Sequence, residues 1–381
     1  MNSRVEKIQI SGIRRFYEKV QKVEGAISLT IGQPDFNVPI DIKKAMIDVI
    51  KKDKTTYTSN AGIEPLREEI SNYLRKFNIN YDKEEICITV GGSEGLFAVL
   101  SAIINQEDKI LIPSPAYPAY ESISNIIGAK VVNYSLNDDF TLNVDEIKRK
   151  IKEENIKYLL ISFPSNPTGA ILSKENRNEL IKLIKENDII VITDEMYSAI
   201  IFDEYYSVAQ ESEILDKVIY VSGFSKIFSM TGLRVGYFAC KNKFMKEIIK
   251  VHQYAVSCAP SIAQWGALEG LKKSLDDVEN MRKTFELRKR YCIKRLNDIG
   301  IEVIEPKGAF YIFPSIKKFN MSSEDFCTRL LKEEKLACVP GTAFGTLGEG
   351  YMRISYCYSN EVLSEAFNRL EKFIKKLNNN Y

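Results

Sequence analysis

Histidine is nearly missing from this chain: its 381 residues hold one, His252. That scarcity removes whole classes of mechanism. Serine–histidine hydrolysis would have to use His252, which lies in Lys250-Val251-His252-Gln253-Tyr254 without a nucleophile elbow nearby. Histidine-based metal sites need more than one. His252 is therefore read as structural or pocket-lining. The seven cysteines are scattered, odd in number and never spaced C-x-x-C, which argues against a zinc cluster and fits reduced thiols packed as small hydrophobes. An excess of charge is also missing. With 53 basic and 51 acidic residues the net charge is +2, and there is no basic tail, so nucleic acid is not an expected partner. No apolar run is long enough to span a bilayer, and the polar stretch Met1-Asn2-Ser3-Arg4-Val5-Glu6-Lys7 contains no signal-peptide core. A cytoplasmic protein that does not engage membranes is expected. G-x-G-x-x-G and the P-loop lysine pattern are lacking too, which disfavours nicotinamide and nucleotide motifs.

What is present is an ordinary soluble composition, 45% apolar and 27% charged, in a chain long enough for two domains. Its middle alternates short apolar runs with amphipathic stretches. Ile86–Val90, Lys109–Ile112, Tyr158–Phe163, Ile189–Thr193 and the run from Val218 read as buried strands, with helical spacing between them, as at Leu180, Leu183 and Ile184. This order predicts an α/β fold with a mostly parallel central sheet covered on both faces. From about Leu275 the pattern changes. Leu275, Val278, Met281, Phe285, Tyr291 and Leu296 mark one stripe of a long helix that Gly300 is placed to stop. Beyond it, Ala309–Phe313 reads as a strand and Ser323–Glu333 as a helix. We expect a large α/β domain over residues 45–280 and a smaller α+β domain from residues 1–44 plus 281–381, joined by a helix rather than a flexible tether.

The predicted strand ends carry the chemistry. Val218 to Ser222 leads into Gly223-Phe224-Ser225-Lys226, with Arg234 eight positions later. A lysine just past a strand end is a candidate Schiff-base nucleophile, because desolvation or a nearby cation lowers its pKa towards neutrality. Asp194 ends another strand, where a buried carboxylate needs a partner such as a cationic ring nitrogen; capping the next helix is the simpler role. A helical turn would set Tyr197 beside it. Gly91-Gly92-Ser93-Glu94-Gly95 opens a helix whose free N–H groups suit a phosphate. Asn166-Pro167-Thr168-Gly169 follows a strand, and Asn166 can donate to a phenolate. Tyr117 stands among prolines and could stack on a flat ring. Arg234 offers a fork for phosphate and Arg353 a fork for carboxylate. Pyridoxal 5′-phosphate needs all these groups together: an amine for its aldehyde, a carboxylate for its pyridinium, donors for its phenolate, and an anion cradle for its phosphate.

The chain resembles the class I aminotransferases of fold type I, the aspartate aminotransferase family, along essentially its whole length. Ile31-Gly32-Gln33-Pro34-Asp35-Phe36, Tyr57 with Gly62, Asn166-Pro167-Thr168-Gly169, Asp194-x-x-Tyr197, Ser225-Lys226 with Arg234, and Arg353 all fall at family positions. The resemblance implies that Lys226 bonds the cofactor aldehyde, Asp194 pairs with the ring nitrogen, and Asn166 and Tyr197 hold the 3′-oxygen while Tyr117 stacks on the ring. Gly92, Ser93, Glu94, Ser225 and Arg234 are expected around the phosphate, with Tyr57 reaching the phosphate of the neighbouring subunit of a homodimer. Gly32, Asn166 and Arg353 are expected on the substrate, Arg353 and the Gly32 backbone at its α-carboxylate. Gly223 departs from the family, which commonly has a phosphate-binding serine there; Ser222 and Ser225 flank it. The subgroup likeness is to PatA-type N-acetyl-L,L-diaminopimelate aminotransferases, carried by Ile10–Arg14, Ser28–Pro34, Val251–Tyr254 and Gly308–Pro314. An L-amino acid and a 2-oxo acid are the implied substrates, with N-acetyl-L,L-diaminopimelate, aspartate or aromatic amino acids as donors. Arg14 is the candidate for a distal carboxylate, against a solvated surface arginine. The rivals are a β-lyase with the same cofactor and, from another class, a non-enzymatic regulator on this fold; the stretch before Gly32 is short for an added DNA-binding domain.

Overall fold

The structure is a computed structural model that describes residues 3–6, 8 and 10–379; the polar opening stretch lies partly outside them. Twelve strands occur among these residues. They are β1 (Ile27–Ser28), β2 (Ile86–Thr89), β3 (Lys109–Ser114), β4 (Lys130–Ser135), β5 (Tyr158–Ser162), β6 (Ile190–Asp194), β7 (Val218–Gly223), β8 (Gly236–Ala239), β9 (Tyr311–Ile312), β10 (Leu336–Ala337), β11 (Val339–Pro340) and β12 (Met352–Ser355). Seven form the central sheet in the order β2-β8-β7-β6-β5-β3-β4. All are parallel except β8, which runs antiparallel to both β2 and β7. The fold is therefore α/β with a mostly parallel sheet, as the alternating pattern predicts.

The central strands are apolar throughout because the sheet is covered on both faces. Side chains alternate along each strand. Leu159, Ile161, Val191 and Tyr220 pack in one core, while Leu160, Ile192, Ile219 and Val221 pack in the other. Two of the helices that cover the sheet begin at a side-chain cap. Asn143 accepts from the Glu146 N–H at the start of Val144–Glu154, and Ser173 accepts from the Asn176 N–H at the start of Lys174–Glu186.

A further core gathers Phe16, Val20 and Leu29 with Phe285, Phe310, Leu330 and Phe367. Around it β11-β12-β9 form an antiparallel sheet, and β1 pairs with β10. The helix Leu275–Asp298 connects the two parts: Val278 packs in the large core, whereas Met281, Phe285 and Leu296 pack in the smaller one. Gly300 follows its end with φ +70°. Ile42, in the helix Ile40–Lys51, is fully buried in the large core against the helix Ser261–Lys273. No helix among the described residues is long and apolar enough to cross a membrane.

Candidate active site

Strands β3, β5, β6 and β7 are mutually parallel, and β2, two strands across from β7 through antiparallel β8, runs the same way. Their C-terminal ends share one edge of the sheet, where doubly wound sheets build their sites. The register sets Ser162 beside Asp194 and Asp194 beside Val221, with Gly223 two residues further along β7. A cavity of about 570 Å³ lies at this edge. It brings together Gly32, Gly92, Ser93, Tyr117, Asn166, Asp194, Tyr197, Ser225, Lys226, Arg234 and Arg353, drawn from segments spread along most of the chain.

Lys226 sits in the short helix Phe224–Ile227 directly after β7 and donates from Nζ to the Gly32 carbonyl at 2.6 Å. Its pKa falls from 10.5 to about 8. Loss of hydration is the largest cause; the Cys357 thiol opposes it, and the charges of Arg353 and Arg234 add to the lowering. Between about pH 8 and 10.5 the unfolded chain keeps a proton that the folded chain has released. Stability should therefore rise with pH in that window, by up to ~1.4 kcal/mol per pH unit, and the penalty should be constant below it. Denaturant unfolding of the cofactor-free protein against Lys226→Met checks this. The stability gap between the two should narrow as pH rises, and a constant gap would mean that the amine is not desolvated.

Asp194 ends β6 and is 7% exposed. The Tyr120 hydroxyl donates to its Oδ2 at 2.8 Å and the Met196 N–H to its Oδ1 at 3.1 Å. Burial still pushes its carboxyl above the usual range, because neither partner carries a positive charge. The segment after it is a turn rather than a helix, so Asp194 caps no helix. Tyr197 reaches the cavity from that turn with its hydroxyl 2.8 Å from that of Tyr311.

Arg353 lies on β12 between the rings of Tyr311 and Phe344, with its guanidinium carbon 4.4 and 4.8 Å from their centroids. It is 2% exposed, donates to Asn166 Oδ1 at 2.8 Å and to the Thr30 carbonyl, and leaves Nε without a partner. Asn166 thus spends its oxygen on Arg353, and its amide nitrogen is engaged by no described residue. Arg234 donates to the Thr231 carbonyl at 2.9 Å. It packs over Gly91, where φ is +71° and a Cβ would stand 2.4 Å from Nη2. Among the described residues, Lys226, Arg234 and Arg353 make no ion pair. The cavity therefore holds three buried or half-buried cations and one carboxylate, an excess of positive charge that suits two anionic groups on a ligand.

Two residues do not line this cavity, Glu94 and Tyr57, the second of which is expected at the neighbouring subunit's phosphate. The Glu94 side chain turns away from the cavity: Oε2 accepts from the Val90 N–H at 2.9 Å, and Oε1 lies 3.0 Å from His252 Nδ1. Tyr57 is 88% exposed and outside the cavity of its own chain. The question raised by Gly223 has a packing answer. A Cβ there would stand 2.8 Å from the Gly236 Cα across the β7–β8 pair, so a serine does not fit without a shift. Ser222 donates to the Glu195 carbonyl at 3.1 Å, leaving Ser225 as the hydroxyl of this segment that lines the cavity. Arg14 is exposed and also lines the cavity, with Ile13 and Tyr17 of the helix Gly12–Val20. Sequence reasoning missed Tyr120 and Tyr311. The first stands one helical turn beyond Tyr117, and its ring meets that of Tyr117 edge-on at 5.6 Å.

Residues 24–370 match the family model described as aminotransferase class I and II. The chain belongs to that family. It is an enzyme, an aminotransferase, which moves an amino group between an L-amino acid and a 2-oxo acid. A Bacillus subtilis (strain 168) protein named probable N-acetyl-LL-diaminopimelate aminotransferase is 42% identical over 99% of this chain and 96% of its own. The aspartate aminotransferase of Pyrococcus abyssi is 38% identical over 99% of this chain and 98% of its own. The crystal structure of Thermus thermophilus aspartate aminotransferase with maleate superposes with a TM-score of 0.93 at 30% identity, over 98% of this chain and 99% of that one.

Proposed function

We propose that this aminotransferase works with pyridoxal 5′-phosphate as a cytoplasmic homodimer with shared active sites. The observation that carries the reading is the charge pattern of the cavity: three buried or half-buried cations, without ion pairs among the described residues, around one carboxylate that has no cationic partner there. The donor set fits the cofactor group by group. Arg234, Ser225 and the N–H groups of Gly92 and Ser93 suit the phosphate. Asn166 and Tyr197 suit the phenolate, Tyr117 the ring face, and Asp194 the ring nitrogen, since a cation there would lower the cost of burying its charge.

Once bound, the cofactor supplies an aldehyde for amines and a ring that accepts electrons from the substrate Cα. The residues supply the rest. Arg353 grips the α-carboxylate through a fork that Asn166, Tyr311 and Phe344 hold in place. The cavity that desolvates Lys226 favours its neutral amine, so its Nζ would be placed to take a proton from the substrate Cα. Asp194 would stabilise a protonated ring nitrogen.

The donor is open among N-acetyl-L,L-diaminopimelate, aspartate and aromatic amino acids. Relatives of nearly equal identity are named for different donors, so identity alone does not choose. Arg14, at the cavity edge, is the candidate for a distal carboxylate. A scan of amino donors, followed by the colour of the bound cofactor, tests the reading. Turnover should stop after one half-reaction unless a 2-oxo acid is added, whereas a β-lyase would continue. In the same scan Arg353→Lys should weaken every donor by a similar factor, about 10- to 100-fold, because it keeps the charge and loses the fork. A loss confined to some donors would move Arg353 from the α-carboxylate.

Tyr57 supports the shared site, since a tyrosine 88% exposed on one chain is suited to contact another. Mixing Tyr57→Phe with Lys226→Ala subunits should form heterodimers with one site free of both changes. Activity should therefore recover towards a quarter of the wild-type level, assuming random exchange and about two active sites per dimer. No recovery after verified subunit exchange, or full activity of a sedimenting monomer, would reject it.

A further inference from the structure

We infer that His252 is a positioning residue that carries a proton on both ring nitrogens and cancels the charge of Glu94 beside the phosphate cradle. This inference rests on the reading that a phosphate occupies the start of the helix Gly91–Ile103.

The argument begins with the two partners of the ring. His252 is fully buried on the helix Asn242–Val256. Its Nε2 lies 3.0 Å from the carbonyl oxygen of Asn60, which can only accept, so Nε2 carries a hydrogen. Its Nδ1 lies 3.0 Å from Glu94 Oε1. The other oxygen of that carboxyl accepts from the Val90 N–H, which holds the group in place in either protonation state. With Glu94 ionised there is an acceptor at each nitrogen, and the ring then donates twice, as an imidazolium.

The location gives this charge a use. Glu94 lies in the first turn of the helix whose residues Gly92 and Ser93 line the cavity. By holding the Val90 N–H it fixes the turn through Gly91, where φ is +71°. An uncompensated carboxylate there would repel an incoming phosphate across low-dielectric protein. Among the described residues, His252 is its one ion-pair partner. The same ring ties in the segment that carries Tyr57, because Asn60 accepts from His252 and donates to the Ser257 carbonyl at 2.8 Å. One side chain thus joins the phosphate-loop helix, the helix Asn242–Val256 and the segment expected to reach a second subunit.

Because His252 is the only histidine, ring-¹⁵N labelling of histidine reports this residue alone. At pH 7.5 both nitrogens should show the chemical shift and proton coupling of N–H. An unprotonated Nδ1, as expected if Glu94 held the proton, would overturn the inference whether or not a cofactor binds. Dissociation of pyridoxal phosphate and of phosphate-free pyridoxal from the full-length enzyme then tests the electrostatic role. His252→Gln should weaken retention of the phosphate form about tenfold and change pyridoxal less than about twofold; Glu94→Gln/His252→Gln should restore the phosphate form to within about threefold of wild type. Equal loosening of both ligands, or no recovery in the double variant, would reject neutralisation and leave a packing role. A wild-type protein that takes up neither ligand would instead reject the cofactor reading, while the nitrogen spectrum still decides the protonation of His252.

Discussion

Lys226→Ala should still take up pyridoxal phosphate and lose turnover by about 10⁴-fold or more, because covalent capture and proton transfer at Cα vanish together. The side chain lines the cavity, and its one hydrogen bond among the described residues goes to the Gly32 carbonyl, so its removal leaves the core intact. Losing a desolvated amine should if anything raise the melting temperature of the cofactor-free protein. Rapid-mixing spectra of the single half-reaction check the rate, with uptake of cofactor measured beside it. A variant that reacts at near wild-type rate would remove Lys226 from the chemistry. One that fails to fold would contradict the placement of its side chain in the cavity.

Asp194→Ala should be the next most damaging change. Without the carboxylate, the ring nitrogen would lose its proton and the electron demand of the ring would fall. Several kcal/mol of transition-state stabilisation is the expected loss, about a thousandfold in rate. Binding should suffer far less, because Arg234, Ser225 and the start of the helix Gly91–Ile103 still serve the phosphate. The comparison of half-reaction rates with cofactor affinity separates the two effects. A large fall in affinity with a near-normal rate would make Asp194 a binding group only. Its burial predicts the sign of a second effect: a carboxyl held above the usual range costs stability, which its removal would relieve.

Most of the site was legible in the sequence because it is built at strand ends. A run such as Ile190–Thr193 reads as a buried strand, and Asp194, the next residue, then stands at the end of that strand beside Ser162 of its neighbour. The same logic located Lys226 after β7 and Asn166 after β5. Two strands of the sheet were not legible. β4 lies at the sheet edge, and Lys130, Asn133 and Ser135 break its apolar pattern. β8 is four residues long, follows a left-handed residue at Arg234, and runs against the direction that alternating strands and helices imply.

Side-chain direction was the other blind spot. Glu94 follows the phosphate loop by motif, yet its carboxylate faces His252, 158 positions away, which no local pattern could pair with it. Tyr120 and Tyr311 look like core aromatics among the chain's 20 tyrosines. Only the fold reveals that one donates to Asp194 and the other supports Tyr197 and Arg353. The Gly223 substitution was legible as a departure from the family and became explicable only through the close approach of Gly236.

Borohydride reduction of the cofactor-loaded enzyme, followed by proteolysis and mapping of the modified peptide, tests the central claim most directly. The expected result is one stable cofactor label per chain, on Lys226, in the peptide that contains Gly223-Phe224-Ser225-Lys226. Label on any other lysine, or a protein that binds the cofactor but cannot be labelled, would contradict it.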